Sequence, residues 1–162
     1  MDFLDQVDIP ELMTTSTTNV FETMLSMNLE TVAAPASKPD PDGETLVGAV
    51  GFAGRIKGLV YIRARDRFAR VVTGAMLGME PDEFGDDEVN DVIGELSNMI
   101  GGNIKSRLND SGFECQLSTP TVTRGKEFQI ISRESAAGLV KELCFQYETY
   151  VLRVVVALVP GE

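Results

Sequence analysis

The chain has 162 residues, 43% of them hydrophobic, with a formal net charge of −11, 2 cysteines and no histidine. That length and hydrophobicity suit one folded domain over residues 1–162 rather than a disordered chain. The charge argues against nucleic acid and anionic membranes as partners, because phosphate binding needs clustered Lys and Arg. Without histidine, the commonest general base and metal ligand is missing.

The opening stretch MDFLDQVDIPELM is acidic and lacks a basic region followed by an apolar run, so it does not read as a secretory signal. No run of about 18 apolar residues occurs, so no membrane span is expected, and the reading is a soluble cytoplasmic protein. Residues 10–29 predict a helix, with Pro10 in its first turn and Val20, Phe21, Met24, Leu25 and Met27 on an apolar face. The threonine run inside it is only moderately helix-forming. AAPASKPDPDG, residues 33–43, reads as a loop. Two strand-like runs follow, Leu46 to Phe52 and Gly58 to Ala64, with AGRIKG between them to turn a hairpin. DRFARVVTGAMLG returns to helix, with Asp66 as a candidate N-cap and Gly78 just past the end. MEPDEFGDD is an acidic loop that leads into a third helix over 86–109, ended by Gly112.

The last third is extended. FECQLSTPTVTRG, EFQIISRE, GLVKELCFQYE and TYVLRVVVALV are rich in β-branched and aromatic residues, and Pro120 makes the first an edge strand or splits it. Cys115 and Cys144 fall in such segments without a CxxC partner, which suits two buried free thiols in a reducing compartment. Parallel βα alternation is absent. The simplest architecture is α+β, an antiparallel sheet with helices packed on one face.

The helix over 86–109 carries the chemistry. At about 100° per residue, with Asp91 at zero, Glu95 falls near 40°, Asn98 near −20°, Gly102 near 20° and Lys105 near −40°. Val92, Ile93, Leu96, Met99 and Ile100 occupy the other face. Gly101 borders the polar stripe. A glycine inside a helix costs about 0.5–1 kcal/mol relative to alanine. A solvated face gains nothing from that, whereas at Gly102 a missing side chain lets another backbone come close. Charged helix faces are usually just wet, and Asp91 and Glu95 form a like-charge i, i+4 pair. The residues alone leave a solvated face and a docking face both open, with Gly102 tipping the balance toward docking. On such a face a carboxylate such as Glu95 can pair with a lysine, and an amide such as Asn98 can hold a water in line with a phosphoryl group. Such work is positioning and needs no perturbed pKa. Asp86, Asp87 and Glu88 read as an acidic helix start rather than as metal ligands.

Asp91, Glu95, Asn98 and Gly102, in DVIGELSNMIGG, resemble the four-point pattern of the CheC/CheX/FliY family of response-regulator phosphatases. TNVFETML and LSTPTVTRG, with Pro120 and Gly125, resemble that family's first helix and the strand after its site helix. The single E-x-x-N motif and the absence of a switch-domain tail are similar to the CheX-type members. The resemblance implies the CheC/CheX-like α+β fold and dephosphorylation of an aspartyl phosphate on a CheY-like receiver. Asn98 and Glu95 would be catalytic, and Asp91, Gly102 and Lys105 would shape the contact surface. Mg²⁺ would be bound by the partner receiver, with no cofactor or metal site in this chain. The resemblance also implies a homodimer through sheet edges, and the long apolar run TYVLRVVVALV would suit such an edge. The alternatives are a non-catalytic receiver-binding adaptor and a flagellar switch-type interaction protein.

Overall fold

The structure, a computed structural model, describes residues 6–33, 43–126 and 138–161. The first element is α1, Ile9–Leu25. Asp8 caps it by accepting from the Glu11 amide at 3.1 Å, and Pro10 sits in the first turn. Thr14, Thr15, Thr18 and Thr23 satisfy their hydroxyls by donating to carbonyls one turn back, which lets a threonine-rich run remain helical. The helix stops four residues before the predicted end. Ser26 turns left-handed at φ 54°, and the amides of Ser26 and Met27 close back on Glu22 and Phe21. Met27 is therefore buried from beyond the helix, not from its apolar face.

β1, Glu30–Val32, is a strand that the sequence reading missed. β2 (Thr45–Gly54) and β3 (Ile56–Arg65) form the expected hairpin. Their mutual ladder ends at Phe52 and Gly58, while their far ends pair with other strands. α2, Asp66–Leu77, ends at a left-handed Gly78. Its N-cap is Arg65 rather than Asp66, whose carboxylate is engaged elsewhere. A single 3-10 turn, Pro81–Glu83, lies in the acidic loop before α3, Asp86–Asp110. Pro120 splits the next extended run into β4 (Cys115–Leu117) and β5 (Thr121–Gly125). EFQIISRE lies wholly outside the described residues. β6 (Leu139–Tyr147) and β7 (Tyr150–Pro160) form the closing hairpin.

The seven strands make one antiparallel sheet in the order β1-β6-β7-β3-β2, with β4 and β5 both pairing β2 on its outer side. This corrects the expectation for TYVLRVVVALV. That run is β7 and lies in the interior between β6 and β3, so it offers no edge. A continuously apolar strand belongs at the centre of a sheet, where neighbours satisfy both rows of backbone groups.

One face of the sheet supplies Leu46, Val50, Phe52, Val60, Ile62, Val154, Val156 and Leu158 to a core shared with all three helices. Val47, Cys144 and Val155 are buried as well, yet stand outside that core, as alternation to the opposite face requires. Phe68 of α2 stacks on Tyr150 at 5.2 Å and on Phe21 at 6.3 Å, joining α2 to β7 and to α1. Cys115 and Cys144 are both buried and free, and burial pushes both thiols above their ordinary pKa.

Candidate functional site

α3 lies across β2, and the contact is made by the absence of side chains. A Cβ on Gly48 of β2 would stand 2.1 Å from Ser97 Oγ and 3.0 Å from Ile93 Cγ2. A Cβ on Gly101 of α3 would stand 2.5 Å from Val50 Cγ2. Gly101 therefore belongs to the helix–sheet contact, although the helical wheel sets it beside the polar stripe. Ser97 reaches the sheet without leaving a polar atom unpaired, because its hydroxyl donates to the Ile93 carbonyl at 2.7 Å.

The opposite face of α3 is uncovered among the described residues. Asp91 and Glu95 are exposed, and Asn98, Gly102 and Lys105 are half-buried. Among the described residues, no side-chain hydrogen bond or ion pair reaches Asp91, Glu95, Asn98 or Lys105. A Cβ on Gly102 would meet nothing within 4 Å, and its φ is not left-handed. Among the described residues, neither packing nor backbone conformation therefore requires a glycine there. The helix presents two carboxylates and one carboxamide outward at i, i+4 and i+3 spacing, without a nucleophile. Together they offer acceptors for a cation and a donor–acceptor pair for a bound water.

Two features flank the stripe that sequence reasoning did not find. On one side a Cβ on Gly94 would lie 3.4 Å from Val122 Cγ2 and 4.0 Å from the Pro120 ring. The β4–β5 connection thus forms one rim, and Lys105 is close enough to Cys115 to act on its thiol electrostatically. At the N-terminal end a polar cluster joins three elements. Arg124 of β5 donates to Asp66 Oδ1 at 2.5 Å and to Asn90 Oδ1 at 3.1 Å, with Glu44 at 3.5 Å and Asp86 at 3.9 Å. Arg70 Nε donates to Asp66 Oδ2 at 2.8 Å, and its Nη2 binds Asp86. Burial alone would raise the Asp66 pKa, but hydrogen bonds from Arg124 and Arg70 outweigh it and hold the carboxyl below its ordinary value. The sequence carries no signal for this cluster, since its members are spread over residues 44–124 and meet only in the fold. Among the described residues, no group of three or more candidate ligands could hold a metal ion. No described helix is long and apolar enough to cross a membrane.

Residues 46–144 match the family described as chemotaxis phosphatase CheX. The chain belongs to the CheX family. A CheY-P phosphatase CheX from Thermotoga maritima is 34% identical over 89 residues, which is 54% of this chain and 57% of that protein. The chain thus spans little more than half of this curated relative. The crystal structure of the chemotaxis protein CheX from Vibrio vulnificus superposes with a TM-score of 0.77 at 27% identity, covering 94% of this chain and 97% of that one. The CheX–CheY–BeF3–Mg²⁺ complex from Borrelia burgdorferi superposes at 0.70 with 21% identity, covering 94% of this chain and 99% of the matched chain, and at that identity shows the fold alone. These CheX proteins bear out the expected α+β architecture, an antiparallel sheet with three helices.

Proposed function

We propose that this chain is a phosphatase that removes the phosphoryl group from an aspartyl phosphate on a CheY-like receiver domain. One observation carries the reading. Among the described residues, Asp91, Glu95 and Asn98 stand unpartnered on one face of α3, beside a glycine that no described contact requires. Glu95 pairs with a receiver lysine and aligns the two proteins, and Asn98 enters the receiver site. There its amide holds the attacking water in line with the phosphorus–oxygen bond to the aspartate. The water adds to phosphorus as that bond breaks, releasing inorganic phosphate and restoring the carboxylate. Asp91, Gly102 and Lys105 shape the contact. Mg²⁺ belongs to the receiver, in keeping with the CheX–CheY–BeF3–Mg²⁺ complex of the Borrelia burgdorferi relative. The family and the Thermotoga maritima relative, a CheY-P phosphatase, support the same substrate class.

The test is phosphate loss from acyl-phosphate-labelled receivers in Mg²⁺, with catalytic amounts of wild type, Asn98→Ala and Glu95→Ala. Fast loss with wild type, abolished in folded Asn98→Ala, supports the reading. Binding of the phosphorylated receiver without faster decay makes the chain an adaptor instead.

The homodimer that the family resemblance implies has an available edge in the same reading. β1 covers β6 only at Cys144–Gln146, which leaves Leu139–Leu143 unpaired on the outer side among the described residues. Val140 there is 53% exposed.

A further inference from the structure

We propose that Arg124 is a positioning residue for this site, clamping the N-terminal turns of α3 so that Asp91 and Glu95 meet the partner at a fixed height. The inference rests on the function proposed above and assigns a new residue to the same site.

The two halves of α3 are held differently. The second half is keyed into β2, with Ser97 over Gly48 and Gly101 against Val50. Asn98 stands on that keyed half. Beyond its buried apolar residues, Ile93 over Gly48 among them, the first half, which carries Asp91 and Glu95, is held toward the sheet by two further contacts, Gly94 against Val122 and the Arg124–Asn90 hydrogen bond. Both contacts come from β5, an edge strand that pairs only with β2 among the described residues. The start of α3 is only partly capped from within. Its N-cap is Gly85, which has no side chain to cap the first turn, although Glu88 accepts from the Gly85 amide at 3.0 Å, and that turn carries Asp86, Asp87 and Glu88. These acids favour the helix dipole but repel one another.

Arg124 suits the task by its shape. Its planar fork presents several donors in a fixed geometry, so one side chain can bind several elements at set distances. One arm reaches Asp66 at the start of α2 and Glu44 before β2, and the other reaches Asn90 and Asp86 on α3. The side chain is 16% exposed, and Nε is buried without a partner among the described residues. The guanidinium is therefore placed by its two arms and not by full satisfaction of its own donors. Asn90 immediately precedes Asp91, so movement of the clamp is passed directly to the docking half.

A positioning role separates from a merely structural one by what it spares. The probe is a CheY-like receiver loaded with beryllofluoride and Mg²⁺, a stable phosphoryl mimic, whose Kd is measured by titration calorimetry. The companion readouts are kcat on the phosphorylated receiver and amide exchange along α3. We expect Arg124→Gln to raise Kd about tenfold while kcat stays within about threefold. Exchange should quicken at residues 88–95 and not at 98–107. Arg124→Lys, which keeps the charge but not the fork, should recover part of the affinity. Asn90→Ala should raise Kd in the same direction, and it decides the matter if Arg124→Gln does not fold. An unchanged Kd despite faster exchange at 88–95 overturns the proposal. So does a uniform loosening of α3 in which Kd and kcat collapse together. If wild type binds no receiver, the functional reading fails and this assignment falls with it; if wild type binds and the variants bind equally well, only the assignment fails.

Discussion

Gly101 and Gly102 are adjacent in one helix, yet the structure predicts opposite consequences for the same substitution. Alanine at either position recovers about 0.5–1 kcal/mol of helix propensity. At Gly101 the new methyl would stand 2.5 Å from Val50 Cγ2, a distance that real Cβ contacts essentially never show, and 3.4 Å from Val60 Cγ1. Val50 is 1% exposed and β-branched, so it has little room and few rotamers with which to yield. Overpacking of this kind costs about 1–3 kcal/mol, which leaves a net loss of up to about 2.5 kcal/mol. In a chain of 162 residues, each kcal/mol moves Tm by about 2–4 °C, so Gly101→Ala should melt lower, by up to about 10 °C. At Gly102 the methyl meets nothing within 4 Å, so Gly102→Ala should melt about 1–4 °C higher. If the open face receives a receiver backbone, the same Gly102→Ala should slow receiver dephosphorylation. The assays are thermal unfolding by circular dichroism and phosphate release. A Gly102→Ala variant less stable than wild type would refute the packing argument, and one that is more stable with undiminished activity would remove the partner's claim on that glycine.

Three further outcomes follow from the same geometry. Asn98→Ala should lower kcat by about 10²–10³ with little change in receiver affinity, whereas Glu95→Ala should chiefly weaken binding, and steady-state kinetics with a direct Kd separates them. The Asp66 carboxyl titrates below its ordinary value in the fold, so the unfolded chain binds more protons in that window. Its contribution to stability is complete above about pH 4 and is lost as pH falls toward the lowered folded value. Asp66→Asn should accordingly flatten that part of the acid limb in denaturant melts, and an unchanged acid limb would count against the Arg124–Asp66–Arg70 cluster. Of prolines placed singly at Val140 and Lys141, the one whose N–H points outward should shift sedimentation from dimer to monomer while the other disturbs the β7 ladder. Equal sedimentation for wild type and both variants would exclude this edge.

The sheet-and-helix architecture was legible because periodicity and punctuation agree with it. Gly78 and Gly112 end their helices in left-handed turns, and Pro120 interrupts its strand. β1 was not legible. Three residues carry no period, and Glu30–Val32 is a strand only because β6 lies beside it. The position of β7 was misread for a related reason. Hydrophobicity shows that TYVLRVVVALV is buried, but strand order is fixed by partners about a hundred residues away. At the site, the helical period was enough to place Asp91, Glu95, Asn98, Gly102 and Lys105 on one face. It could not assign Gly101, since a wheel ranks angles but knows nothing of Val50. The Arg124 cluster left no trace, because long-range ion pairs have no spacing rule.

The central place of β7 also governs when the sheet can exist at all. β3 and β7 pair from Ile56 with Pro160 to Ala64 with Leu152, so the middle of the sheet joins strands about a hundred residues apart. On a ribosome, β2, β3 and all three helices emerge before the strand that completes their floor. Until then β3 presents an unpaired apolar edge. Such non-local closure is slow compared with helix formation, so the nascent chain should pass through a state with helices formed and that edge open. Loss of the final eleven-residue strand would cut the sheet in two rather than trim its rim.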